Sequence, residues 1–164
     1  MPLAIYFYDV IVAVHVAAIV IAFGVVFAYP VIDASFRKLN PRALPAWHAT
    51  HAFIDSRVVT PGMTVALFAG VYLASDRDSF KEIWVQVPFA ALIVLFGLTG
   101  SFFVPQGRKL AELAAKDVAA TPGDGPVTWS AEYTTRARRF AIAGAGAAVL
   151  ILLSIFFMVA KPGA

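Results

Sequence analysis

The sequence predicts an all-α fold: an integral membrane four-helix bundle with cytoplasmic surface helices and both termini outside. Three observations predict it. The chain has 164 residues, of which 60% are hydrophobic and 14% charged, and its mean hydropathy of +0.80 is far from that of a water-soluble domain. Residues 5–29 form an apolar run broken only by Asp9 and His15, longer than the roughly 20 residues that cross a bilayer at about 1.5 Å per residue. Three further apolar runs follow, and the basic residues between them are unevenly shared.

One domain, 1–164, is expected, because no linker or charge run separates two large apolar blocks. Cysteine is absent, which excludes disulfides and thiolate metal sites. The net charge of +3 does not point to nucleic acid, since the basic residues flank apolar spans, where they report topology and contacts with lipid headgroups.

The N-terminal residues carry no basic segment and no small-residue cleavage site after a short apolar core, so the first span, 5–29, is expected to be retained. It should end near Tyr29-Pro30, where proline disfavours helix in the residue before it. Residues 41–57 read as a surface helix carrying Leu44, Trp47, Phe53 and Ile54 among charges and histidines. The second span, 58–74, is short unless helix continues into it from about Ala46, with Pro61-Gly62 as a kink. A bent second span is therefore expected. Residues 75–82 form a polar loop, and the third span, 84–104, is expected to close at Pro105. Residues 108–120 have the period of a surface helix, and Thr121-Pro122-Gly123-Asp124-Gly125-Pro126 breaks it. The fourth span, 140–160, opens on alanines around Gly144 and Gly146, small residues that let helices approach closely.

Ten of the thirteen Lys and Arg residues lie in the two long connections, against Arg77, Lys81 and Lys161 elsewhere. The positive-inside rule then makes both connections cytoplasmic. Asp9 and Lys161 fall at the outer boundary and are expected to pair. Glu132, Tyr133 and the arginines before the fourth span read as a headgroup anchor.

His15 is the foremost functional pointer, because an ionisable group at mid-depth in a bilayer needs a partner. It shares a face with the small residues Ala18 and Ala22, which leave room for a flat macrocycle. The plainer reading is an interhelical hydrogen bond to Thr64, Thr99 or a carbonyl freed by Pro61. Met63, on the second span, is a candidate sixth ligand to a haem iron on His15. His48, His51 and Asp55, spaced three and four apart, project from one side of a helix and form a candidate divalent-metal set. Otherwise they are the polar face of a surface helix. His51 is expected too far in depth to share an iron with His15, which lies ~21 Å from the inner end of its span. No catalytic residue is legible.

Several of these residues together resemble an uncharacterised family of bacterial four-span integral membrane proteins. The likeness rests on His15, Pro61-Gly62 with Gly70, Val104-Pro105 with Arg108, Tyr133 with Arg138-Arg139, and the ending Met158-Val159-Ala160-Lys161-Pro162. More distantly, the bundle with its first-span histidine is similar to the HemJ type of protoporphyrinogen oxidase and to CopD-type membrane domains. The resemblance implies a multi-pass protein of the bacterial inner membrane and haem b on His15; the third span, however, lacks the lysine that a HemJ relative would carry. The expected function is thus haem b binding in a redox role, or else a structural or accessory subunit without cofactor. Its expected partners are membrane lipids and a homo-oligomer or larger membrane complex, with no nucleic acid.

Overall fold

A computed structural model describes residues 6–123 and 125–163. Four helices, each long and apolar enough to cross a membrane, account for nearly all of them: α1 (Phe7–Leu39), α2 (Pro41–Asp76), α3 (Ile83–Ala120) and α4 (Ala131–Ala160). They mark a membrane protein. Large apolar side chains such as Val20, Phe68, Ile142 and Phe156 are exposed on the outside of the bundle, as suits hydrocarbon rather than water.

Connections are short, so sequential helices run antiparallel. Asn40 alone joins α1 to α2. Contacts between the connecting segments sort the ends of the bundle. At one end the Arg77 guanidinium lies over the Tyr8 ring (4.4 Å) and Lys161 Nζ over the Trp84 ring (4.9 Å). At the other, Arg42 donates to the carbonyls of Gly123 and Gly125. The two basic connections thus meet at one end, called inner below, and the starts of α1 and α3 and the end of α4 meet at the other.

Helix persists through two prolines at which the sequence led us to expect an end. α1 continues past Pro30 to Leu39, and α3 continues past Pro105 to Ala120. Beyond Pro30 the helix is held by an Asp33–Arg37 pair (2.5 Å) and by Phe36 stacked on Trp47 (5.7 Å, 11°). Proline removes only one donor, and tertiary contacts offset that loss. In α2 and α3 the accommodation is geometric. Each contains a single widened π-turn, Asp55–Val59 and Thr99–Phe103, ending two residues before Pro61 and Pro105. The carbonyl that a proline ring crowds belongs to the residue four earlier, here Arg57 and Ser101, and both lie inside the widened turn. α2 is helical from Pro41, well before Ala46.

Three apolar clusters hold the bundle. The central one joins all four helices through Ala22, Phe23, Val59, Met63, Leu95, Phe103, Ala147 and Ile151. Toward the inner end, Tyr29, Leu44 and Trp47 pack on one side and Leu110, Leu113, Ala114 and Tyr133 on the other. Close helix approach depends on glycine: a Cβ at Gly62 would stand 2.8 Å from the Ala22 Cβ, and one at Gly107 would stand 3.1 Å from the Ala52 Cβ.

The expected pair between Asp9 and Lys161 is not formed. Asp9 Oδ2 accepts from the backbone N–H of Tyr6 (3.2 Å) and so caps its own helix, while Lys161 is engaged with Trp84. Helix-terminal donors attract a nearby carboxylate more cheaply than an exposed lysine can.

Candidate functional site

A cleft runs lengthwise between α1 and α4, and it widens into two chambers. Phe23, Leu95 and Ile151 line both and form the waist between them. Residues of α1 and α4 that line the chambers, such as Val20 and Val159 outside and Phe27 and Ala145 inside, are also exposed. The cleft therefore opens sideways, toward lipid.

His15 borders the outer chamber, a cavity of about 380 Å³ whose other walls are apolar except for Ser154, which is bonded to its own helix. Its Nδ1 lies 2.8 Å from the carbonyl of Ala66 on α2. A carbonyl only accepts, so this geometry puts the proton on Nδ1 and leaves Nε2 with its lone pair free. Among the described residues Nε2 has no hydrogen-bond partner. The ring rests on Gly70, where a Cβ would come 3.0 Å from His15 Cε1. The expected interhelical hydrogen bond is thus present, but its acceptor is Ala66 rather than Thr64, Thr99 or a carbonyl freed by Pro61. Met63 does not line this chamber: it is fully buried in the central cluster, beside Ala22. Met158 does line it.

The inner chamber, about 310 Å³, has a polar end made by α1 and α2. His48, His51 and Asp55 belong here, and they are buried (2%, 8% and 4% exposed) rather than on a surface face. They are covered by Tyr29 of α1, by Tyr133 and Phe140 of α4, and by the continuation of α3 past Pro105, which packs along this part of α2, while Asp33 and Arg37 of α1 line the same chamber. The Tyr29 hydroxyl donates to Asp55 Oδ1 (3.0 Å). His48 Nε2 is 3.0 Å from the Tyr133 hydroxyl of α4, and its Nδ1 is buried without a partner. The His51 ring leans on Tyr29 (3.7 Å between centroids) with its Nε2 3.6 Å from Asp55 Oδ2, a gap too long for a hydrogen bond. His48 thus faces Tyr133, whereas His51 and Asp55 both adjoin Tyr29. Among the described residues no group of three or more His, Asp or Glu side chains converges as a metal site would require.

Sequence reasoning missed Tyr29, Asp33, Arg37 and Tyr133 as members of this cluster. Tyr29, Asp33 and Arg37 recur every four residues, which would have exposed a polar stripe had the helix been carried through Pro30. Glu132 remains an exposed residue, bonded to Arg136 Nε at 3.0 Å, whereas Tyr133 beside it is buried.

Comparison of the chain with protein-family models, with curated proteins and with solved structures found no match.

Proposed function

We propose that this is a multi-pass protein of the bacterial inner membrane that binds haem b in a redox role, which Nε2 of His15 would hold. The observation that carries the reading is the His15 Nδ1 contact with the Ala66 carbonyl. Haem-ligating imidazoles are held in this way, one nitrogen donating to a fixed acceptor while the other keeps its lone pair for the metal. The residues fit the group in three further respects. Gly70 leaves the ring a bare seat, the chamber beyond is apolar, and it opens to lipid, so a flat macrocycle can enter without crossing the packed core. Haem would supply one-electron chemistry there. Met158, which borders the chamber, replaces Met63 as the candidate second ligand. In this reading the basic inner end of the bundle is cytoplasmic and the termini face outward.

Protein expressed with ample haem should carry a Soret band that His15→Ala abolishes and that His51→Ala, in the other chamber, leaves in place. The same histidine contact is also an interhelical tie, which favours an accessory membrane subunit as the second reading. A colourless wild-type protein that nonetheless melts earlier when His15 becomes Ala would establish that one instead.

A further inference from the structure

We propose that the inner chamber binds the ring head of a membrane-soluble quinone or quinol, with the apolar tail leaving between α1 and α4. His51 is the first reason. It is only 8% exposed and lines the chamber, yet neither ring nitrogen has a hydrogen-bond partner among the described residues. Asp55, at the same wall, uses Oδ1 for Tyr29 and leaves Oδ2 without a hydrogen bond. Buried polar groups with unused capacity are costly unless something fills it, and at 3.6 Å His51 Nε2 and Asp55 Oδ2 stand too far apart to satisfy each other by a hydrogen bond.

The head this wall selects is planar, polar at its edge and uncharged. Planarity follows from the aromatic surfaces beside it, Tyr29 at 3.7 Å and Phe140 at 5.1 Å from the His51 ring. Polarity at the edge follows from the open donor and acceptor sites, and a quinone carbonyl or quinol hydroxyl can meet either tautomer of His51. Neutrality follows from charge: the chamber is lined by the carboxyls of Asp33 and Asp55, and its one guanidinium, Arg37, is already held by Asp33 at 2.5 Å. A phospholipid phosphate would find no free cation there. Apart from His48, held at Tyr133, and Thr99, bonded to its own helix, the remaining walls are apolar and lead past Gly144 and Ala145 to the lipid-facing opening, the path an isoprenoid tail requires.

Decylubiquinone is a suitable probe, because quinones quench indole fluorescence and Trp47 lies 5.5 Å from His51. Titrated into the purified full chain in detergent, it should quench saturably with a single site. His51→Leu removes the polar partner, and Gly144→Leu plugs the opening; each should weaken binding at least tenfold. A Cβ at Gly144 meets nothing within 4 Å, so that variant should fold, with an unchanged melting temperature as the check. Gly24→Leu, equally unobstructed but outside both chambers, should bind as the wild type does. Unsaturable quenching, or equal affinity in the wild type, His51→Leu and Gly144→Leu, would overturn the proposal. So would a phospholipid retained by the wild type, released by Gly144→Leu and not displaced by decylubiquinone. Because His15 borders the other chamber, a colourless protein that still binds decylubiquinone would sink the haem assignment and leave this one standing.

Discussion

The Tyr29 hydroxyl donates to Asp55 Oδ1 at 3.0 Å, tying α1 at the residue before Pro30 to the first residue of the π-turn in α2. Both side chains are buried, at 7% and 4% exposure, so neither finds water as a substitute. Tyr29→Phe keeps the ring packing on Trp47 and His51 but leaves the carboxyl without its donor, a loss of about 1–3 kcal/mol. Thermal unfolding in detergent should register it. Asp55→Leu in the same chain removes the group left unsatisfied, so the double variant should lose less than the sum of the single ones. Additive losses would mean that the bond contributes nothing of its own.

Apolar length made the four helices legible. The polar cluster was hidden by a local rule applied at Pro30. Proline disfavours helix in isolation, but the Tyr29–Asp55 bond and Phe36 stacking on Trp47 tie α1 to α2 on either side of Pro30, and α1 runs on to Leu39. Both contacts cross from α1 to α2, and a reading of one segment at a time does not see them. At Pro105 the compensation is a π-turn, a feature of backbone geometry with no residue signature of its own. His15 shows the opposite case. Its need for an interhelical partner was legible from depth alone, whereas the identity of that partner, the Ala66 carbonyl, depended on the register between α1 and α2.

That register rests on Gly62. A methyl group there would stand 2.8 Å from the Ala22 Cβ and 3.2 Å from the Ala22 Cα, both on a rigid helix rather than at the end of a flexible side chain. Gly62→Ala should therefore force α1 and α2 apart and cost about 1–3 kcal/mol of stability. The comparison is Gly144→Ala, where the added methyl meets nothing within 4 Å and the melting temperature should stay unchanged or rise slightly. Equal melting temperatures for the two variants would show that the close approach at Gly62 is not maintained in the membrane.

Asp9 and Lys161 lie at the same end of the bundle but serve different partners, Asp9 the backbone N–H of Tyr6 and Lys161 the ring of Trp84. Asp9→Asn and Lys161→Met should each have a small effect, and the two should add to within about 0.5 kcal/mol, as independent sites do. Trp84→Leu, by contrast, should abolish the effect of Lys161→Met, because the ring that attracts the ammonium is gone. A coupling between Asp9 and Lys161 larger than that between Lys161 and Trp84 would restore the ion pair that the charge pattern suggested.

Orientation in the membrane is the last consequence of the arrangement. Arg42 reaches from the start of α2 to the carbonyls of Gly123 and Gly125, so the two connections that carry most of the basic residues are joined to each other. Arg77, in the loop between α2 and α3, is joined instead to Tyr8 near the start of α1. A concentration of Lys and Arg at one end holds that end in the cytoplasm, and the native chain contains no cysteine to confuse a labelling experiment. Gly125→Cys and Arg77→Cys, each as a single substitution, should react with a membrane-impermeant maleimide from opposite faces: Gly125→Cys only in inverted vesicles, Arg77→Cys in intact cells. Labelling of both from one face would contradict four crossings, and the reverse assignment would place the basic end, and with it the polar chamber, toward the outer side.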